Sequence, residues 1–172
     1  MTLETVPLTS ITDIYQVAEE LKAQLEVEAN SDIAEEFPDT VERYTGDLFQ
    51  IELNLRKTIS ECEIGRREQF LTLVDGKVAG MNVVRLVSDV PVGIPITSPN
   101  LSGYIARPWR GIGIATCVMR ELLKTVDNNF NGIAHTTIRP ENTPSLTLAR
   151  NNGLIETGQF HNGRLVFAYS SE

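Results

Sequence analysis

The chain has 172 residues, of which 41% are hydrophobic and 22% are charged, a composition typical of one soluble globular domain. Its formal net charge of −8 argues against general nucleic-acid binding, because an acidic surface repels phosphates. The sequence has no apolar run near the roughly 18 residues of a membrane-spanning helix, no secretory signal, and no cysteine pattern typical of a metal site or disulfide framework. These features predict a cytoplasmic protein that binds no nucleic acid, no membrane and no metal.

Acidic residues are concentrated in the first part of the chain. Residues 1–64 hold 15 Asp and Glu but four Lys and Arg, a net charge of −11, whereas residues 65–172 carry +3. Two interpretations stay open: the acidic residues solvate helix faces, or the two parts of the chain meet different kinds of ligand.

Two amphipathic helices are predicted in this acidic part. Apolar residues at helical spacing predict the first over TSITDIYQVAEELKAQLEVE, with Ser10 or Thr9 as its N-cap, and the second from Asp39 to about Ser60. The polar segment ANSDIAEEFPDT is predicted to be a break, in which Pro38 ends any preceding helix.

A hairpin and a parallel pair of strands are predicted next. Two apolar runs joined by Asp75-Gly76 indicate the hairpin, because this dipeptide favours the positive φ angles of a tight turn. The proline-bearing segment SDVPVGIPITSPN indicates a loop, and LSGYIA and IAHTTI indicate strands joined by a helix that begins near Ile112. Such a strand–helix–strand unit requires a right-handed parallel crossover, so we expect an α/β fold with a mixed sheet.

The last third of the chain predicts a helix and a second hairpin. The helix is entered at Asn142 or Thr143, with Gly153 just past its end. Two closing strands, LIETGQF and RLVFAYS, are joined by the turn HNG.

The segment RPWRGIGIATC, residues 107–117, carries the main functional signal. A strand that ends in a glycine-bearing turn and enters a helix directs unpaired backbone N–H groups and the positive end of the helix dipole outward. Such a turn binds phosphate or pyrophosphate, and Gly111 and Gly113 would let the ligand approach the backbone. Arg107 and Arg110 would add charge-assisted contacts, whereas Trp109 either lies on a bound base or caps the loop.

Closely spaced glycines also occur in plain tight turns, in dinucleotide-binding folds and in P-loops. A plain tight turn uses Gly-x-Gly without any ligand. A dinucleotide-binding fold requires a third glycine near the first strand, and the position is Thr116 here. A P-loop requires G-x-x-x-x-G-K-[ST], which does not occur in the sequence.

The stretch RGIGIA, residues 110–115, is similar to the R/Q-x-x-G-x-G/A signature of the GCN5-related N-acetyltransferase (GNAT) superfamily. LSGYIARPWRGIGIA resembles the fourth strand and third helix of that superfamily, and IRPENTPSLTLARNNGLIETG resembles its fifth strand and fourth helix. The resemblance implies a single domain over residues 1–172, with acceptor-side helices in 1–67 and the sheet and acetyl-CoA-binding core in 68–172. It also implies a twisted mixed sheet of about six to seven strands, with helices on both faces and splayed central parallel strands.

The resemblance further implies acetyl-CoA as co-substrate, with no metal. The backbone of residues 111–115 would cradle the pyrophosphate, the backbone of Ile105 and Arg107 would pair with the pantetheine arm, and Asn142 would reach that arm from the last helix. The implied cofactor-binding residues are Ile105, Ala106, Arg107, Arg110, Gly111, Ile112, Gly113, Ile114, Ala115, Thr116, Asn142 and Ser145.

The usual acid and bases of the superfamily are absent at the matching positions. The acid, a tyrosine, corresponds to Ala149, and the two alternative glutamate bases correspond to Leu101 and Thr137. His135 shares a strand face with Thr137, so it is either a proton relay or a strand histidine that a neighbour satisfies. Tyr104 is the second catalytic candidate, or else a core residue.

The sequence therefore predicts an N-acetyltransferase that acts on a primary amine, either a small amine or a protein N-terminus. A non-catalytic acyl-CoA-binding or sensor module is the alternative, and a monomer or homodimer fits either. The acidic first part favours a cationic acceptor, and the proposed groove residues are Glu26, Glu28, Asp32, Glu35 and Glu36.

Overall fold

The computed structural model describes residues 1–28, 47–65 and 67–171. These ranges contain seven β-strands and four α-helices, with short 3-10 turns at Leu8–Ser10 and Arg107–Trp109. The strands are β1 (Leu3–Pro7), β2 (Arg67–Val74), β3 (Lys77–Arg85), β4 (Asn100–Ile105), β5 (Ile133–Ile138), β6 (Ile155–His161) and β7 (Arg164–Ser170). The helices are α1 (Ile14–Glu28), α2 (Leu48–Glu63), α3 (Ile114–Asn129) and α4 (Thr143–Asn151).

The strands form one mixed sheet in the order β1-β2-β3-β4-β5-β7-β6. β4 runs parallel to β5 and pairs with it at Asn100 and His135, and α3 makes the crossover between them. β1 is antiparallel to β2, and β7 is antiparallel to both β5 and β6. The predicted α/β class with a mixed sheet of six to seven strands is confirmed.

Both hairpin turns form where the sequence predicts them. Asp75 and Gly76 have φ angles of +49° and +77°, and Asn162 and Gly163 have +49° and +74°. Two consecutive positive φ angles define the turn whose twist matches that of the flanking strands.

The first and third helices begin later than predicted. Asp13, not Ser10 or Thr9, lies before α1, and its Oδ1 accepts the N–H of Gln16 at 2.9 Å. Residues 8–10 form a 3-10 turn instead. α3 begins at Ile114 rather than near Ile112, because Gly113 has a φ of +87° and lies outside helical geometry.

Two further differences concern the first 65 residues. The sequence does not predict β1. Its residues alternate only weakly between more and less buried positions, and its strand conformation comes from pairing with β2, from Leu3 opposite Val74 to Pro7 opposite Phe70. α2 begins after Asp47, whose Oδ1 accepts the N–H of Phe49 at 3.0 Å. The predicted start at residue 39 lies outside the described residues.

The contacts divide the chain into two compact units. The first contains residues 1–82 and 103–114, and its core is formed by residues of α1, α2, β2 and β3 with the end of β4: Leu21, Leu25, Ile51, Leu55, Leu71, Val78, Met81, Tyr104 and Ala106. The second contains residues 83–102 and 115–172, and it buries Val118, Leu122, Val126, Ala134, Ile138, Val166 and Phe167.

Candidate functional site

The segment between β4 and α3 is a loop anchored in the first unit. Ala106, which follows β4, donates its N–H to the carbonyl oxygen of Ala79 on β3 at 2.8 Å. The N–H of Trp109 then donates to the carbonyl oxygen of Ala106 at 2.9 Å. Because Ala106 is only 1% exposed, the loop leaves the sheet from a buried and hydrogen-bonded point.

Gly111 and Gly113 give the loop an open outer face. Their φ angles of +79° and +87° lie in the left-handed region that residues with a Cβ rarely adopt. A Cβ added at either glycine would meet no atom within 4 Å in the described part of the chain. No described atom therefore covers the outer face of the two glycines, which lie directly before the N–H groups that begin α3 at Ile114.

Arg110 is tied back to the strand that precedes the loop. Its Nε donates to the carbonyl oxygen of Ile105, the last residue of β4, at 2.8 Å, and its side chain is half-buried. The sequence does not predict this bond, because a motif does not show that the loop folds back over the end of its strand. Arg107 is exposed, and phosphate contacts by both arginines stay predictions.

Two aromatic side chains near the loop belong to the core of the first unit. Trp109 is half-buried and packs against the core cluster that includes Leu21 and Leu25 of α1. Tyr104 is 6% exposed and is a member of the same cluster. The geometry thus matches the interpretation of Trp109 as a cap of the loop and of Tyr104 as a core residue. A catalytic role for Tyr104 stays a prediction.

Asn142 caps α4 in the second unit. Its Oδ1 accepts the N–H of Ser145 at 3.2 Å, and Pro144 occupies the first turn. The carboxamide oxygen is thus used by the helix, and the Nδ2 hydrogens are not part of this bond. Contacts of Asn142 and Ser145 with a pantetheine arm stay predictions.

His135 is buried in the second unit beside a serine. Its side chain is 1% exposed, and Nδ1 lies 3.2 Å from the Oγ of Ser98, which is fully buried. Its backbone N–H donates to the carbonyl oxygen of Pro99 at 2.9 Å. Burial lowers the pKa of the ring, so the neutral form is favoured. This geometry matches a histidine satisfied by a neighbour, and the proton relay stays a prediction.

The positions of the missing acid and base are largely closed to solvent. Ala149 and Leu101 are each 1% exposed, and Thr137 is half-buried. No ionisable side chain stands at any of these three positions, so the chain offers no replacement there.

The predicted acceptor groove is described at one residue. Glu26 on α1 is exposed and forms an ion pair with Lys22 at 3.2 Å. The side chain of Glu28 and all of Asp32, Glu35 and Glu36 lie outside the described residues. Their role stays a prediction.

Neither a metal cluster nor a membrane span is found in residues 1–28, 47–65 and 67–171. Across these ranges, no group of three or more His, Cys, Asp or Glu is placed to hold a metal ion. No helix of the described chain is long and apolar enough to cross a membrane.

Solved acetyltransferases share the fold. The N-acetyltransferase PaiA from Thermoplasma acidophilum, solved with coenzyme A, matches with a TM-score of 0.70 and 13% identity over 99% of each chain. The GNAT domain of PAT from S. lividans matches with a TM-score of 0.68 and 12% identity over 99% of this chain and 91% of that one. The microcin C7 self-immunity acetyltransferase MccE, solved with acetyl-CoA and AMP, matches with a TM-score of 0.73 and 14% identity over 97% of this chain and 92% of that one.

Comparison by sequence gives a different result, since no protein-family model and no curated protein matches the chain. At 12–14% identity the structural likeness establishes the fold alone. The chain thus has the GNAT fold that the resemblance predicts.

Proposed function

We propose that the protein is an acetyl-CoA-dependent N-acetyltransferase that transfers the acetyl group directly to a primary amine. One observation carries the proposal: two exposed left-handed glycines, Gly111 and Gly113, lie immediately before a 16-residue helix. This arrangement occurs in a fold shared with N-acetyltransferases solved with CoA or acetyl-CoA.

Several features of the loop suit a pyrophosphate. The N–H groups at the start of α3 are donors without partners inside the helix, and the helix dipole adds positive potential there. The outer face of the two glycines is open, and the exposed Arg107 adds a positive charge. Acidic residues of this protein lie mostly elsewhere, since residues 65–172 carry a net charge of +3.

Acetyl-CoA supplies a thioester as the acyl donor. In direct transfer, the amine nitrogen bonds to the thioester carbon, the carbon–sulfur bond breaks, and the amine loses a proton while the coenzyme leaves as a thiolate. A thiol with a pKa of about 8.5, such as that of free cysteine, can leave as the anion without a dedicated acid, and the thiol of the coenzyme is of this kind. With Ala149 at the position of the acid, we infer that water protonates the thiolate, at a cost in rate of about 10²-fold to 10⁴-fold.

The cofactor assignment is tested by one pair of variants. Gly113→Asp places a carboxylate where the pyrophosphate would bind, and we expect calorimetry to detect no CoA binding. Gly113→Asn has the same shape without the charge, and Asn tolerates a positive φ, so it should retain most of the affinity. Equal CoA affinity in Gly113→Asp and the unsubstituted protein would refute the loop assignment.

A non-catalytic acyl-CoA-binding module is the second candidate. The observation that favours it is the burial of Ala149 and Leu101 at the positions of the missing acid and base. Both candidates bind CoA, so binding does not distinguish them. Release of free thiol from acetyl-CoA over a panel of primary amines does, since a sensor module would release none above the rate without protein.

A relay through His135 has a separate test. If the ring moves the amine proton, His135→Ala lowers kcat several-fold and shifts the pH profile of kcat. A kcat and pH profile unchanged by this substitution would leave water as the base.

A further inference from the structure

Two side chains of α1 bind both backbone groups of one residue in β3. The Oε2 of Glu20 accepts the N–H of Val78 at 2.6 Å, and the Nε2 of Gln24 donates to the carbonyl oxygen of the same residue. Glu20 and Gln24 are four residues apart, so they lie on one face of the helix. The backbone groups of a strand ordinarily pair with a neighbouring strand, and at Val78 two side chains of a helix bind them.

This clamp, formed by Glu20 and Gln24 on Val78, lies next to the anchor of the loop. Ala79, the residue after Val78, accepts the N–H of Ala106, from which the loop leaves the sheet. Val78 and Ala106 are 2% and 1% exposed and belong to the same core cluster. Val78 is therefore connected to Ala106 by the peptide bond to Ala79 and by the hydrogen bond between Ala79 and Ala106, so a shift of Val78 is expected to move Ala106.

The loop itself packs against the core to which the helix with the clamp contributes. Trp109 contacts the core cluster to which Leu21 and Leu25 of α1 belong, and its N–H is bonded to Ala106. Leu21 and Leu25 each follow a clamp residue directly in the sequence. One stretch of α1 thus supplies both the hydrogen bonds to Val78 and two apolar side chains of the core against which the loop packs.

We propose that Glu20 and Gln24 are positioning residues for the cofactor loop, holding Val78 so that Ala106 and the backbone N–H groups beyond it are placed to bind CoA. The inference rests on the proposed function, since it assigns these residues to the same CoA site. It gives α1 a role in cofactor affinity, although neither side chain is part of the glycine motif.

The test measures CoA affinity by calorimetry in length-matched variants. Glu20→Met and Gln24→Met keep the side-chain length and a good helix former but remove the bonds to Val78. We expect each to weaken CoA binding about tenfold, because the N–H groups of the loop are then held less firmly in the position that binds CoA. Glu20→Gln keeps an oxygen that can accept the N–H of Val78, so this variant should retain the CoA affinity of the unsubstituted protein. Glu19→Met makes the same exchange at the exposed neighbouring position and should bind CoA like the unsubstituted protein.

The Gln24→Met variant distinguishes an effect on CoA affinity from an effect on the stability of the fold. Among the described residues, its Oε1 is buried without a hydrogen-bond partner, so Gln24→Met removes an unsatisfied oxygen together with the useful bond. A small change in the midpoint of urea unfolding with a large loss of CoA affinity would support positioning. Faster amide hydrogen exchange at Ala106 and Trp109 in both variants is expected as well.

Three outcomes decide between the claims. Loss of affinity in the two Met variants, with retention in Glu20→Gln and Glu19→Met, supports the inference. CoA affinity equal to that of the unsubstituted protein in both Met variants overturns it while leaving the proposed function intact. No CoA binding by the unsubstituted protein overturns the proposed function, and the inference fails with it.

Discussion

Arg110 illustrates how one residue in a proposed phosphate-binding loop can act on the loop itself. Its Nε is bonded to the carbonyl oxygen of Ile105, so the side chain closes the loop onto the strand it came from. A guanidinium has five donors, and the bond to Ile105 uses one of them, while the positive charge of the group is kept. Loop closure and phosphate binding are therefore separable contributions.

Substitutions at Arg110 distinguish these contributions. Arg110→Gln can still donate to Ile105 but has no charge, whereas Arg110→Met has neither function. If loop closure dominates, Arg110→Gln binds CoA nearly as well as the unsubstituted protein and Arg110→Met binds about tenfold more weakly, the worth of one hydrogen bond with a buried partner. Equal weakening in both variants, measured by calorimetry, would assign the role of Arg110 to its charge.

His135 makes the stability of the fold depend on pH. Burial lowers the pKa of the folded state below the ordinary value of about 6.5, so below that pH the unfolded chain binds a proton that the folded chain does not. Stability is therefore full above this value and decreases as pH falls through it. His135→Asn keeps a polar group at the Nδ1 position facing Ser98 and cannot titrate.

Urea unfolding at pH 7.5 and 5.5 measures this dependence. The loss of unfolding free energy between the two values should be smaller in His135→Asn than in the unsubstituted protein. His161→Asn serves as a control for the other histidine, because that residue is partly exposed and bonded to Asp89 at 3.1 Å. An identical pH dependence in His135→Asn and the unsubstituted protein would contradict a buried neutral ring.

Among the secondary-structure elements, β3 and β4 approach each other at two glycines. A Cβ on Gly80 would lie 2.3 Å from the backbone oxygen of Tyr104, and one on Gly103 would lie 2.1 Å from the side-chain Oδ1 of Asn82. The Tyr104 oxygen belongs to the backbone and cannot move without shifting β4. At Gly103 the nearest atom belongs to a side chain, but the Asn82 Cα also lies 2.9 Å away and the Asn82 Nδ2 is bonded to the Oγ1 of Thr72. Both contacts lie within the first unit, beside the anchor of the loop.

These contacts predict which of two glycine-to-alanine substitutions lowers the unfolding free energy more. Gly80→Ala should lower the unfolding free energy by about 3 kcal/mol, at the upper end of overpacking costs, and Gly103→Ala by about 2 kcal/mol, because its nearest contact is a side-chain atom. Urea unfolding curves measure both. Gly76→Ala is unsuitable as a control, since its φ of +77° adds strain of a different origin. A larger loss of unfolding free energy in Gly103→Ala would contradict this order, and it would mean that β4 shifts more easily than Asn82 does.

Elements set by local chemistry are predictable from the sequence, and those set by distant partners are not. The turn at Asp75-Gly76 follows from the conformational preference of two adjacent residues, and so does the Asn142 cap. β1, by contrast, pairs with residues about 70 positions away, and nothing in LETVP itself specifies a strand. The glycine-bearing turn before α3 is predictable from the motif, but the side chains that support the neighbouring strand are not, because Glu20 and Val78 are 58 residues apart.

Charge is distributed unevenly over the full length of the chain. Residues 1–64 carry −11 and residues 65–172 carry +3, so the acidic field originates in the part where the acceptor groove is proposed. An acidic field attracts a cationic amine and is screened by salt, with a Debye length of about 8 Å at physiological ionic strength. The proposed acceptor is therefore a cation whose affinity depends on ionic strength.

A panel of primary amines with matched size tests this dependence. We expect short peptides with a free N-terminus and a neighbouring Lys to have a lower KM than the same peptides with Gln or Glu in that place. Raising salt from 50 to 500 mM, which shortens the Debye length from about 14 Å to about 4 Å, should raise the KM of the Lys peptide several-fold. The KM of the Gln peptide should rise less, because its N-terminal ammonium is its only positive charge. Because acetyl-CoA is an anion, its own KM has to be followed in the same series, and CoA should be kept saturating throughout. A neutral or acidic acceptor with the lowest KM at every salt concentration would eliminate the acidic groove, and the N-acetyltransferase proposal would then rest on the loop alone.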